Sequence, residues 1–166
     1  MSFYLVDTNF FIQSHRGSYP LDVVLSYWSK VKQLANERKI FSIDKVKKEI
    51  YKNDDSLKKW YEENLPKDFF IDSTSIDGFY IRIVNWAVSK SNHYLPKAIA
   101  EFLDADEADA WIISYALANV DNLIIVTQEI SEPLRKNKIK IPDVCVEFGV
   151  KFTNTIGMFR SLGMTF

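Results

Sequence analysis

Four carboxylates stand where apolar segments of the chain end or begin. Asp7 interrupts "YLVDTNFFI", with Tyr4, Leu5 and Val6 before it and Phe10, Phe11 and Ile12 after it. Glu49 flanks a stripe of Ile43, Val46 and Ile50 spaced as on a helix, whereas Lys45, Lys48 and Lys52 fall on the far side. Asp109 lies one turn before Ile112 and Ile113 in "EADAWIISYALAN", a segment with little polar surface. Glu129 follows the β-branched run "LIIV", two residues after Thr127. An unpaired ion buried in such surroundings costs several kcal/mol or takes up a proton.

Oxygen donors without His or Cys select hard cations, Mg²⁺ or Mn²⁺, over zinc. His15 and His93 have no partner at metal-ligand spacing, and there is no Gly-rich phosphate loop and no Ser, His, Asp or Cys, His arrangement. Carboxylate-held Mg²⁺ suits phosphodiester chemistry, because the ion binds the phosphate, acidifies water and stabilises the leaving oxygen. Each acid also has a plainer role open to it. Asp7 could cap a short helix, Glu49 could be an exposed helix charge, Asp109 could offset its helix N-terminus, and Glu129 could be a loop residue. Those separate roles do not explain why all four follow strand ends or helix starts at one edge of a sheet.

The elements that must position them alternate between strand and helix. Strands are expected at 2–6, 40–42, 69–71, 122–127 and 151–154. Helices are expected from Pro20 to about Arg38, through the Ile43 to Ile50 stripe, and at 56–64, 77–89, 96–103, 104–119, within 141–149 and at 156–162. Asp104 and Glu107 form a capping-box candidate opening the 104–119 helix. This alternation predicts a parallel sheet covered by helices on both faces. Ligands of such sheets bind beyond the carboxyl ends of the strands, where strand order reverses.

The 166 residues are 47% apolar and 26% charged, the balance of a globular protein, and the expectation is a single domain over 1–166. A lone Cys145 forms no internal disulfide, no secretory leader pattern is visible at the N-terminus, and the longest apolar run is about half of what a membrane span needs, so the cytoplasm is the expected location. The net charge of -1 argues against gripping nucleic acid by bulk electrostatics. Its distribution is uneven: residues 30–59 hold ten Lys or Arg against five acids, and 61–120 hold four against ten. The block around Lys45, Lys48, Lys52, Lys58 and Lys59 could guide RNA phosphates or be a solvated helix surface.

At its acidic segments the chain resembles the PIN-domain family of metal-dependent ribonucleases. "YLVDTNFFI" resembles the first-strand motif, with Asp7 as first acid and Asn9 beside it, and "SIDKVKKEI" the segment with the second acid at Glu49. "EADAWIISYALAN" is similar to the third-acid helix, matching at Asp109, and "LIIVTQE" to the strand delivering Thr127 and a fourth acid at Glu129. Asp106 is a rival third ligand. The flanks "SHRGSYPLDVVLSYW" and "KIKIPDVC" suggest a PIN-like branch from bacteria and archaea. The resemblance implies a Rossmann-like three-layer sandwich, a Mg²⁺ or Mn²⁺ site, and cleavage of single-stranded RNA, often as the toxin of a toxin-antitoxin pair.

The resulting expectation is an endoribonuclease in which Asp7, Glu49 and Asp109 hold the metal, Glu129 completes or supports the site, and Asn9 and Thr127 orient ligands or water. Its expected partners are single-stranded RNA and an antitoxin protein; a homodimer is left open, and no membrane is involved. The rival is a PIN-like module that binds RNA or protein without cutting. A phosphotransfer protein modified at Asp7 ranks lower, since no second strand-end acid adjoins Asp7 and no phosphate-binding lysine is identifiable.

Overall fold

The computed structural model describes residues 1–166. Five short strands, β1 (Phe3–Val6), β2 (Ile40–Ile43), β3 (Phe70–Ile71), β4 (Leu123–Val126) and β5 (Lys151–Thr153), form one parallel sheet in the order β3-β2-β1-β4-β5. Nine α-helices surround it, so the expected α/β class with helices on both faces of a parallel sheet, a Rossmann-like three-layer sandwich, is what the chain adopts. The chain winds outward from β1 to β3, then returns to place β4 on the other side of β1. Strand order therefore reverses between β1 and β4, and the crevice lies at their carboxyl ends. In-register pairing from Phe3 opposite Leu123 to Val6 opposite Val126 brings Asp7 level with Thr127.

The central strands are apolar because both their faces are covered: Leu5, Val6, Ile125 and Val126 have no exposed surface. At the edges the sheet is blunted by a two-residue β3 and by a three-residue β5 carrying Lys151. One continuous core of 38 buried residues runs through the layers, with Phe10, Phe11, Tyr27, Tyr61 and Phe69 meeting mainly edge to face.

Helix α1 (Thr8–Arg16) starts directly after β1, and α2 (Leu25–Asn36) begins five residues later than the helix expected from Pro20, because residues 21–23 form a turn closed by the Val24 N–H on the Pro20 carbonyl (2.9 Å). Helices α3 (Asp44–Asn53) and α4 (Asp55–Asn64) carry the basic block. After β3 come α5 (Asp77–Ser89) and α6 (Pro96–Phe102), the latter opened by its proline. Helix α7 (Asp109–Ala118) is apolar on nearly every side and packs against α5 and β4. Its start differs from the sequence expectation. Residues 104–108 form a turn in which the Asp104 carboxylate accepts from the Asp106 N–H (2.9 Å), so the helix begins five residues later and Asp104 and Glu107 form no capping box. This shift puts Asp109 in the first turn.

Helix α8 (Ile141–Phe148) ends at Gly149, which lies in the left-handed region at φ 69° and turns the chain into β5; α9 (Thr155–Ser161) closes the fold. A side chain at that φ costs about 1–2 kcal/mol. Gly149→Ala should therefore lower the unfolding free energy by about 1 kcal/mol in urea melts, although nothing stands within 4 Å of an added Cβ.

Candidate functional site

The site is built at the reversal of strand order. Asp7 is the N-cap of α1: its Oδ1 accepts from the Phe10 N–H (2.7 Å) while its Oδ2 accepts from the Thr127 hydroxyl (2.6 Å). The plain capping role and a role in the cluster thus belong to the same carboxylate, which is only 3% exposed. Thr127 passes the connection on by accepting from the Glu129 N–H (3.1 Å). On the other flank the Ser42 hydroxyl at the end of β2 donates to the Val6 carbonyl (2.6 Å), fixing the backbone just before Asp7.

Glu49 is not the exposed helix charge of the plain reading. Its Oε2 accepts from the Thr8 hydroxyl, and its Oε1 from the Ala108 N–H (2.6 Å), in the turn leading into α7. One side chain of α3 therefore clasps both the start of α1 and the start of α7. Glu129 has a side chain 5% exposed; its Oε2 accepts from the Ile141 N–H at the head of α8 (2.7 Å), and its Oε1 stands 3.8 Å from the Lys138 ammonium. Asp109, half-buried, is the one member whose carboxylate accepts no hydrogen bond from the protein.

These placements bring Asp7, Glu49, Asp109 and Glu129 within electrostatic reach of one another. Burial pushes the Asp7 carboxyl up to about 7, against the two hydrogen bonds that favour its charge, with Glu129 and Glu49 adding repulsion. Burial, then the charges of Glu129, Glu49 and Asp7, hold Asp109 well above the usual carboxylate range, and Lys138 is the one cation opposing them. Glu49 is raised by burial, with Glu107 adding to the shift.

The remaining sequence candidates are placed as follows. Asn9 is half-buried, with no side-chain hydrogen bond. Asp106 is exposed on the turn, and its neighbour Glu107 is the residue that acts on Glu49. Lys48, Lys52 and Lys59 are exposed. Lys58 lies over the Tyr51 ring (5.3 Å), and Lys45 over Trp111 of α7 (4.9 Å). Lys45 was expected on the solvated side of its helix; α7 covers that side, so its ammonium packs on an indole instead. Sequence reasoning missed Thr8, Glu107 and Lys138. Thr8 had a signal, a hydroxyl beside Asp7 in "VDTN". Lys138 had none, being 29 positions from Asp109 in an irregular loop.

The donors are all carboxylate oxygens, and their excess of negative charge is what a divalent cation would offset. No group of three or more His, Cys, Asp or Glu side chains is arranged to hold an ion as they stand. Mg²⁺ commonly needs no such cage, since it takes one or two carboxylates and completes its shell with water and substrate phosphate. The residues fit Mg²⁺ or Mn²⁺ on those terms.

Fold and site define an α/β three-layer protein with a buried acidic cluster at its switch point. The chain belongs to the family described as Domain of unknown function (DUF4411), whose pattern matches residues 4–166. No curated protein and no solved structure matches it.

The raised Asp7 carboxyl contributes to the pH dependence of the metal-free fold, alongside Asp109 and Glu49, which are raised as well. Between its unfolded value of 3.8 and about 7, the folded state holds a proton that the unfolded state has lost. Stability should therefore be greatest below 3.8 as far as this group is concerned, and should fall as pH rises to 7. Asn caps helices as well as Asp. Asp7→Asn should thus keep the fold, flatten this slope and exceed the parent's stability at pH 8, as urea melts in EDTA across pH 4 to 8 would show.

Proposed function

We propose that the protein is a Mg²⁺- or Mn²⁺-dependent endoribonuclease of PIN-like type that cleaves single-stranded RNA in the cytoplasm, as the toxin partner of an antitoxin protein. The observation that carries this reading is Asp109: a carboxylate without a hydrogen-bond donor, set among three other acids and shifted strongly toward the neutral form. Such a group is costly to the fold and useful to a cation.

Asp109, with Asp7 or Glu49 beside it, would hold the ion, and water and substrate phosphate would complete its shell. When bound, it supplies Lewis-acid polarisation of the scissile phosphate and a more acidic water. The remaining work belongs to the side chains. Phe10 N–H and the Thr127 hydroxyl fix both oxygens of Asp7, so its orientation is set before substrate arrives. Thr8 and the Ala108 N–H do the same for Glu49. Glu129 keeps its oxygens on Ile141 and Lys138, which makes it a bracket for the 128–140 loop and a support to the site. Asn9, half-buried two residues after Asp7, would orient water or substrate.

The chain has no helix long and apolar enough to cross a membrane. Pairing with a second copy of the chain belongs to this proposal only as an option for solution measurements. The rival reading, a PIN-like module that binds RNA or protein without cutting, draws on the open arrangement of the acids, no three of which are placed to hold an ion.

Purified protein should cut a single-stranded RNA with Mg²⁺ or Mn²⁺ and stop in EDTA. Asp7→Asn should lower the rate at least about a hundredfold, the scale of losing one fixed electrostatic contact in an active site. Mn²⁺ at a hundred times its dissociation constant should stabilise the parent by about 2.7 kcal/mol. No cleavage with either metal would favour the binding module.

Exposed Lys48 and Lys52 are proposed to contact RNA phosphates. Each contact to a single strand contributes about 0.7 to the slope of log affinity against log salt. Replacing both with Gln should make that slope shallower by about 1.4, and an unchanged slope would return them to plain solvated surface.

A further inference from the structure

Around the acidic cluster the electrostatics are one-sided. Glu101, Glu107 and Asp109 line a small cleft at its mouth, and Lys138 is the only cation among the residues lining it. A phosphodiester approaching that mouth meets three carboxylates and a single ammonium. The cleft holds about 20 Å³, enough for one water, so a phosphate must bind at its rim and not within it.

Lys138 is held in place there. Two residues before it, the Lys136 carbonyl accepts from the Leu95 N–H (2.9 Å). One residue after it, Ile139 is 2% exposed in the core, and the Ile141 N–H is bound to Glu129. The loop is thus clamped on both sides, while the Lys138 side chain keeps 39% of its surface and its ammonium stands 3.8 Å from Glu129 Oε1. That separation is a loose ion pair, long for a charge-assisted hydrogen bond. The ammonium keeps donors to give.

We propose that Lys138 is the phosphate-binding residue of the site, donating from its ammonium to a non-bridging oxygen of the scissile phosphate. The assignment rests on the nuclease reading for its substrate, but the phosphate contact has its own test. With the acids unscreened, Lys138 is drawn to Glu129 and Asp109. A divalent ion among the acids would weaken that attraction and leave the ammonium free for the phosphate. Phosphate binding at Lys138 is therefore coupled to metal, which a plain structural pairing with Glu129 would not be.

The test uses the parent, Lys138→Gln and Lys138→Arg, with Lys138→Met, which retains an apolar stem, replacing the Gln variant if that one melts early. One arm measures kcat/KM on a single-stranded RNA with Mg²⁺. The other follows the Tm rise produced by inorganic phosphate, in Mg²⁺ and in EDTA. A hydrogen bond from a charged donor corresponds to roughly 10- to 100-fold, so Lys138→Gln should lose at least about tenfold in kcat/KM and Lys138→Arg should recover most of it. The phosphate-dependent rise should appear in Mg²⁺ alone, for the parent and the Arg variant, and vanish in the Gln variant. A parent that cuts no RNA but shows this phosphate pattern would remove the nuclease reading and keep the Lys138 site. A Gln variant with the parent's kcat/KM or the parent's phosphate response would overturn the assignment, leaving Lys138 as a counter-ion to Glu129.

Discussion

The bond from the Thr127 hydroxyl to Asp7 joins the ends of two strands whose chain positions are 120 residues apart. It spans the point at which the order of a parallel sheet reverses, where the helices following neighbouring strands leave on opposite faces and a crevice opens. The same carboxylate caps α1 through Phe10 N–H, so the exit of β1, the start of α1 and the exit of β4 share one group. An apolar residue in its place would leave an N–H and a hydroxyl without a partner. The carboxylate therefore satisfies its neighbours while its own burial raises its pKa.

Glu49 repeats this arrangement from α3. It reaches the first residue of α1 and the last residue before α7, two donors that lie 100 positions apart in the chain and meet on one carboxylate of α3. Between them, Asp7 and Glu49 use ordinary capping and side-chain hydrogen bonds to fix the geometry of the cluster. Asp109 is then left among the other acids with no donor. In a protein interior, mutual repulsion at such a place is a standing cost to the fold, and acids are kept there against it when a bound cation or a reaction uses them. That link supports the proposed metal-dependent reading, and it gives Lys138, the single opposing charge, more than an incidental place.

The basic block sits on α3 and α4 and turns exposed lysines outward, while Lys45 turns inward onto Trp111, itself stacked on Tyr80 with ring centroids 3.9 Å apart. The inward lysine couples α3 to α7 one turn away from the Glu49 contact with Ala108. The Lys45 contact with Trp111 and the Glu49 contact with Ala108 thus tie α3 to the start of α7 at two places.

Periodicity and turn chemistry determined most of the architecture on their own. β-branched runs bounded by polar residues located the strands. Stripes at three- and four-residue steps located most of the helices, although α1 was legible only as a short helix that Asp7 could cap and α2 begins at Leu25 rather than Pro20; Gly149 marked the end of α8 because a left-handed residue is needed there. Asp7, Glu49, Asp109 and Glu129 were legible as candidates because a charge against an apolar segment contradicts the local pattern. The false capping box at Asp104 shows where local reading stops: that carboxylate satisfied a nearer N–H, and the helix began at Asp109. Only the tertiary structure decided that Thr8 and Ala108 hold Glu49, that Lys45 is covered, and that Lys138 opposes the acids. Those contacts join segments tens of residues apart, and no periodicity encodes which residue a fold will bring to a distant charge.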